Sequence, residues 1–141
     1  DLESNRYYTK EFYKLCLRAL TSDGVMATQA GSPYYATKAF QAIAKAMSNA
    51  GFTTLPFHNQ VLSMGEWGWI MGSKSLSKEE LTERVKALEF ENVDTKWISK
   101  EAVRMMLAFG KSYVISDSIG INSLKNPIIH EYYTSGTWNF E

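Results

Sequence analysis

Cysteine is nearly absent from this sequence, Cys16 being the one thiol in 141 residues. A lone cysteine closes no internal disulfide and builds no cysteine-rich metal site. Cys16 falls among apolar residues at helical spacing and reads as packing, since free cysteine is commonly buried. An excess of one charge is lacking too, because 15 Lys plus Arg balance 15 Asp plus Glu. No basic field gathers nucleic acid or anionic lipid, so neither is expected as a partner. No run reaches the roughly 18 apolar residues of a membrane-spanning helix. The first residues, Asp1-Leu2-Glu3-Ser4-Asn5-Arg6, lack the basic-then-apolar order of a signal peptide. A soluble, cytoplasmic segment without membrane contact of its own is expected. Internal repeats, low-complexity tracts and long linkers are missing as well, so the chain reads as one unit. What is there, 45% hydrophobic and 21% charged residues, suits a globular unit burying about two-thirds of its unfolded surface.

Thr9 is placed to cap a helix whose apolar positions Phe12, Leu15, Cys16, Ala19 and Leu20 recur at steps of three and four. Ser22-Asp23-Gly24 stops it. Val25-Met26-Ala27-Thr28-Gln29 follows as a short, mostly apolar strand of the kind covered on both faces. Ser32 ahead of Pro33 predicts a helix starting directly after that strand, with Ala36, Phe40, Ile43, Ala44 and Met47 as its buried stripe and Gly51 as its left-handed stop. The segments Phe52-Thr53-Thr54-Leu55 and Trp67-Gly68-Trp69-Ile70-Met71-Gly72 lie too close for a helical crossover and predict an antiparallel hairpin. Ser77-Lys78-Glu79-Glu80 is a capping box that opens a peripheral helix through Leu81, Val85 and Leu88. A second peripheral helix starts at Ser99 and stops at Gly110. Residues 112–141 carry scattered aromatics with weak periodicity.

Alternating strands and helices predict an α/β fold with an open sheet, yet such sheets begin with a strand and a glycine-rich turn, and this chain begins in a loop leading to a helix. Its first strand would have nothing beside it. An unpaired apolar strand is a hazard that natural proteins cover. An amino-terminal portion of the same protein is the favoured cover, ahead of self-association through the strand edge or a separate partner.

Ligands in open α/β sheets bind beyond the carboxyl ends of the strands, where Gln29, Ala30, Gly31, Ser32 and Pro33 fall. The Gln29 amide both donates and accepts, which suits an amine or hydroxyl ligand and suits the backbone equally well. Ser32 reads as a helix cap, because no histidine lies near it and no nucleophile elbow surrounds it. Gly31 and Ser32 are too sparse a pattern for a phosphate loop. His58 and His130 lack metal-ligand spacing, so no metal is expected. Glu66, between Gly65 and Trp67, sets a carboxylate beside aromatic rings. That pairing holds a cationic amine, or else is an exposed turn carboxylate beside core tryptophans.

In order and spacing, Tyr7-Tyr8-Thr9-Lys10-Glu11-Phe12-Tyr13, then Gly24-Val25-Met26-Ala27-Thr28-Gln29-Ala30-Gly31-Ser32-Pro33, then Gly65-Glu66-Trp67-Gly68-Trp69 with Ser73-Lys74, resemble the polyamine aminopropyltransferases, the spermidine synthase family. The resemblance covers residues 6–74. Leu81-Thr82-Glu83-Arg84, and the stretch from Asn126-Pro127 to Trp138-Asn139, are similar to thermospermine-synthase-like and bacterial membrane-tethered members. The resemblance implies the carboxyl-terminal part of a Rossmann-like, class I methyltransferase-type fold, with an antiparallel hairpin at the sheet edge. Residues 1–74 would be the carboxyl-terminal half of the catalytic domain, and residues 75–141 its peripheral helices and tail.

The implied reaction moves an aminopropyl group from decarboxylated S-adenosylmethionine to an amine, releasing methylthioadenosine. A protonated amine cannot attack, so such a site needs a carboxylate to take the proton and other groups to hold the amine in line with the sulfonium. In the family, the glycine-rich cofactor loop, the ribose-holding acid and the catalytic aspartate all precede the segment that Tyr7-Tyr8 begins. This chain is therefore expected to bind no co-substrate alone, to be inactive alone, and to supply no catalytic residue. What carries over is binding: Gln29 as the strand-end glutamine that touches the polyamine, and Tyr7 near the segment lining the adenine pocket. Glu66 and Trp67 are placed on the acceptor side. Leu62-Ser63-Met64 stands where many spermidine synthases carry a tyrosine before the late glycine turn, which weakens the case for putrescine as acceptor. The same residues admit two other readings: an S-adenosylmethionine-dependent methyltransferase fragment, or a non-catalytic binding or assembly module.

Overall fold

In the computed structural model, which describes residues 1–110 and 115–135, a short 3-10 helix, Ser4–Tyr8, leads into α1, Lys10–Ala19. Thr9 caps α1 by accepting the Phe12 N–H at 3.2 Å, so the sequence cue and the structure agree. Three strands follow, β1 (Val25–Gly31), β2 (Thr53–Val61) and β3 (Gly65–Ser73), with α2 (Thr37–Ala50) between the first two. The sheet order is β1-β3-β2 and both pairings are antiparallel. β2 and β3 form the expected hairpin, closed where Val61 faces Gly65. β3 then runs back into the slot between β2 and β1.

That insertion corrects the expectation for the first strand. β1 has β3 beside it, from Val25 opposite Ser73 to Gln29 opposite Trp69, and only its outer edge lacks a strand among the described residues. It is also not covered on both faces, since Val25 is 50% exposed and Ala27 and Gln29 are exposed as well. A five-residue apolar run carries no period that separates one buried face from two, and a strand arriving from forty residues away leaves no local trace.

The start of α2 is corrected too. Ser32 caps a turn rather than the helix, its hydroxyl accepting the N–H groups of Tyr34 at 3.3 Å and Tyr35 at 3.2 Å. Ala36, at φ −116° and ψ 48°, is not helical, and α2 begins at Thr37. The stripe Ala36, Phe40, Ile43, Ala44 and Met47 is buried as expected. Gly51 ends the helix at φ 115°, with Phe52 N–H returning to the Met47 carbonyl at 3.2 Å.

The stripe seats on β3 through two glycines spaced for one face of a strand. A side chain at Gly68 would overlap the Phe40 ring, and a Cβ at Gly72 would stand 2.7 Å from Met47 Cε. Phe40 and Met47 fill those slots and are fully buried. The opposite face carries α3 (Lys78–Lys86) and α4 (Lys100–Leu107), which lie across β2. Ser77 and Glu80 form the expected capping box, and Ser99 caps α4 by accepting Ala102 N–H at 3.1 Å. Between these helices and the sheet lies an apolar cavity of about 160 Å³ bounded by Leu55, Phe57, Met71, Val103 and Met106.

Weak periodicity hides real structure in the tail. α5, Ile128–Thr134, packs on α2. It is held by Asn122, which is completely buried. The Asn122 amide nitrogen donates to the Tyr8 carbonyl at 2.8 Å, its side-chain oxygen accepts Ile129 N–H at 3.3 Å, and its own carbonyl accepts Lys10 N–H at 3.0 Å. The Trp138-Asn139 end of the resemblance lies outside the described residues. Among the described residues, no helix is long and apolar enough to cross a membrane.

Candidate functional site

The carboxyl end of β1 is irregular. Gln29 pairs with Trp69 but Gly31 pairs with Gly68, so Ala30 is an extra residue that bulges the strand. Gly31 completes the bulge at φ 73°, a conformation that glycine adopts without steric cost. The bend opens a hollow of about 210 Å³ past the strand end, bordered by Tyr8, Gln29, Trp67 and Tyr133, with Ile43 and Ile129 beneath.

Among the described residues, no Asp, Glu, Lys, Arg or His side chain lines this hollow. Gln29 Nε2 reaches the Tyr8 hydroxyl at a long 3.4 Å. The Trp67 indole N–H is buried with no hydrogen-bond partner among the described residues, and a buried donor in that state costs free energy until an acceptor arrives. Burial, with Tyr8 as a secondary cause, pushes the Tyr133 hydroxyl above its ordinary pKa, so it stays a donor at neutral pH. Aromatic faces, one amide and aliphatic walls without a lysine or arginine suit an alkylammonium chain, because ring faces attract cations and the methylenes meet apolar surface. Among the described residues the hollow is lined by no carboxylate, so none of them offers a base to an amine placed there.

Of the four residues marked in the sequence, the fold gathers two, Gln29 and Trp67, at this hollow. Glu66 points to the other face of the strand, where Oε2 meets His58 Nδ1 at 2.7 Å while His58 Nε2 meets the Ala108 carbonyl. Adjacent strand residues face opposite ways, which is why Glu66 and Trp67 part company. Tyr7 is 47% exposed, lies under the Arg6 guanidinium 4.8 Å from its ring centre and stands edge-on to Phe12. Its neighbour Tyr8 enters the hollow instead. Sequence reasoning missed Tyr8, Ile43, Ile129 and Tyr133. The Tyr7-Tyr8 pair held a signal for the first, while Ile129 and Tyr133 come from a tail whose placement depends on Asn122. Among the described residues no group of three or more His, Cys, Asp or Glu side chains comes together as a metal site would require.

A polyamine aminopropyltransferase of Aquifex aeolicus is 31% identical over 134 residues, which are 92% of this chain and 25% of the relative. One from Mycobacterium tuberculosis is 42% identical over 66 residues, 47% of this chain and 13% of the relative. This chain thus spans about a quarter or less of the length of these relatives. A spermidine synthase solved with the transition-state analogue AdoDATO superposes with a TM-score of 0.58 at 24% identity, over 74% of this chain and 37% of that one. It shares the fold, a class I methyltransferase-like α/β architecture. The profile of the Spermine/spermidine synthase domain matches residues 1–84, more than half of the sequence, and the chain belongs to the spermine/spermidine synthase family.

Proposed function

We propose that this chain is the carboxyl-terminal portion of a polyamine aminopropyltransferase and forms the amine-acceptor side of its cleft. The parent enzyme would move an aminopropyl group from decarboxylated S-adenosylmethionine to an amine and release methylthioadenosine. The observation that carries this reading is the uncharged, aromatic hollow at the carboxyl end of β1, where Gln29 and Trp67 meet Tyr8 and Tyr133. Gln29 would hold one amine nitrogen and the rings of Trp67 and Tyr8 would flank the alkyl chain. Glu66 would act from a distance, fixing the hairpin through His58, and Tyr7 would sit toward the nucleoside side. Residues 1–74 would supply the catalytic-domain surface and residues 75–141 its peripheral cover, in a cytoplasmic segment of a parent that is soluble or tethered elsewhere.

The base and the nucleoside grip would come from the preceding part of the parent, seated against the outer edge of β1. No observation favours methyl transfer. The test is reconstitution: the purified chain with decarboxylated S-adenosylmethionine and a set of di- and triamines should release no methylthioadenosine. A polypeptide extended through the preceding part should release it stoichiometrically with the new polyamine. Turnover by the chain alone, or methylated amine from the extended protein supplied with S-adenosylmethionine, would refute the proposal. Val25→Lys, which sets a charge on the exposed start of β1, should weaken association with the preceding part while leaving the chain folded.

A further inference from the structure

The family match ends at residue 84, yet the hollow is not closed by residues 1–84. Ile129 and Tyr133 complete it from α5, forty-five positions or more beyond that limit. Tyr133 comes so close to the bulge that a Cβ at Gly31 would stand 2.5 Å from its hydroxyl. Glycine at 31 thus serves two ends, permitting the positive φ and admitting the tyrosine. Tyr8 and the start of α5 both hang on Asn122, which bonds the Tyr8 carbonyl and the Ile129 N–H with one side chain. The wall from α5 is therefore held in register with the wall from the 3-10 helix. Gln29 and Trp67 lie within the matched segment, while the wall that limits the space in front of them lies outside it.

From this division we infer that Tyr133 is a specificity-determining residue: its ring bounds the hollow and sets the length of the amine that fits between Gln29 and α5. This rests on the reading of the hollow as an amine site. Removing the ring opens the hollow toward α5, so longer amines gain relative to shorter ones. Removing only the hydroxyl leaves the wall standing.

The indole N–H resonance of Trp67, assigned with Trp67→Phe, reports on the hollow directly in the chain as it is. Titrations with 1,3-diaminopropane, 1,4-diaminobutane, 1,5-diaminopentane and spermidine should move it saturably. In Tyr133→Ala the ratio of spermidine to 1,4-diaminobutane affinity should rise about tenfold, the scale of adding or removing a methylene's worth of space in a pocket. Tyr133→Phe should keep the wild-type ratio. An unchanged ratio in Tyr133→Ala, with amine binding intact, overturns this inference alone, as does an equal rise in Tyr133→Phe. If no amine moves the Trp67 resonance in the wild-type chain, the amine site itself is refuted and the inference falls with it.

Discussion

The two faces of one three-stranded sheet are built on different rules. Toward α2, glycine slots receive large side chains, and Phe40, Met47 and Ile70 are fully buried. Toward α3 and α4, aliphatic and aromatic side chains leave an apolar cavity of about 160 Å³, and the connecting stretch exposes Trp97 at 89% and Val93 at 59%. Close packing makes the first face intolerant of volume change, while the second has room to relax. Gly68 both receives Phe40 and pairs with Gly31 across the bulge, so the tightly packed face adjoins the hollow at that point.

The sharpest way to break this contrast is Phe40→Ala, which empties the Gly68 slot and should cost about 3–5 kcal/mol in chemical denaturation. Asn122→Ala should cost about 1–3 kcal/mol, because it strands the Tyr8 carbonyl and the Ile129 N–H. It should also broaden the Trp67 indole resonance, which simple loss of stability would not do. Ser77→Ala, on the looser face, should cost only about 1 kcal/mol by removing the capping box. Val103→Ile, which grows into the apolar cavity, should be neutral or stabilising by under about 1 kcal/mol. A large loss there would erase the difference between the faces. The smallest effect concerns pH: burial raises the pKa of the Tyr13 hydroxyl, which Thr28 only partly opposes. Its contribution is fully present below the unfolded tyrosine value near about 10 and is lost as pH rises from there toward the folded value. Midpoints should thus stay level through neutrality and fall in alkaline buffer. Tyr13→Phe should flatten that alkaline fall.

Capping was legible at Thr9, Ser77 and Ser99 because a cap is written within four residues. Gly51 was legible for the same reason. The order β1-β3-β2 was not, since nothing in β1 encodes that its neighbour is β3 rather than a strand before it. Ser32 misled because a hydroxyl before Pro33 caps a turn as readily as a helix, and only the backbone of Ala36 separates the two outcomes. Gln29 and Trp67 could be picked out because they stand at a strand end within a family pattern. Tyr133 could not, since seven helical residues give too short a period and their docking is decided by Asn122 from outside the helix. The Glu66 partnership with His58 was within reach once the hairpin turn was placed, for the register from Val61 opposite Gly65 brings those two side chains to one face.

One amide has a further consequence for how the chain comes together. Asn122 and Tyr8 are 114 positions apart, so this anchor beside α1 closes a loop across most of this sequence. Bringing such distant segments together is entropically costly and slows folding relative to local contacts. The contact that ties α1 to the segment before α5 is therefore expected to form late in the folding of this unit.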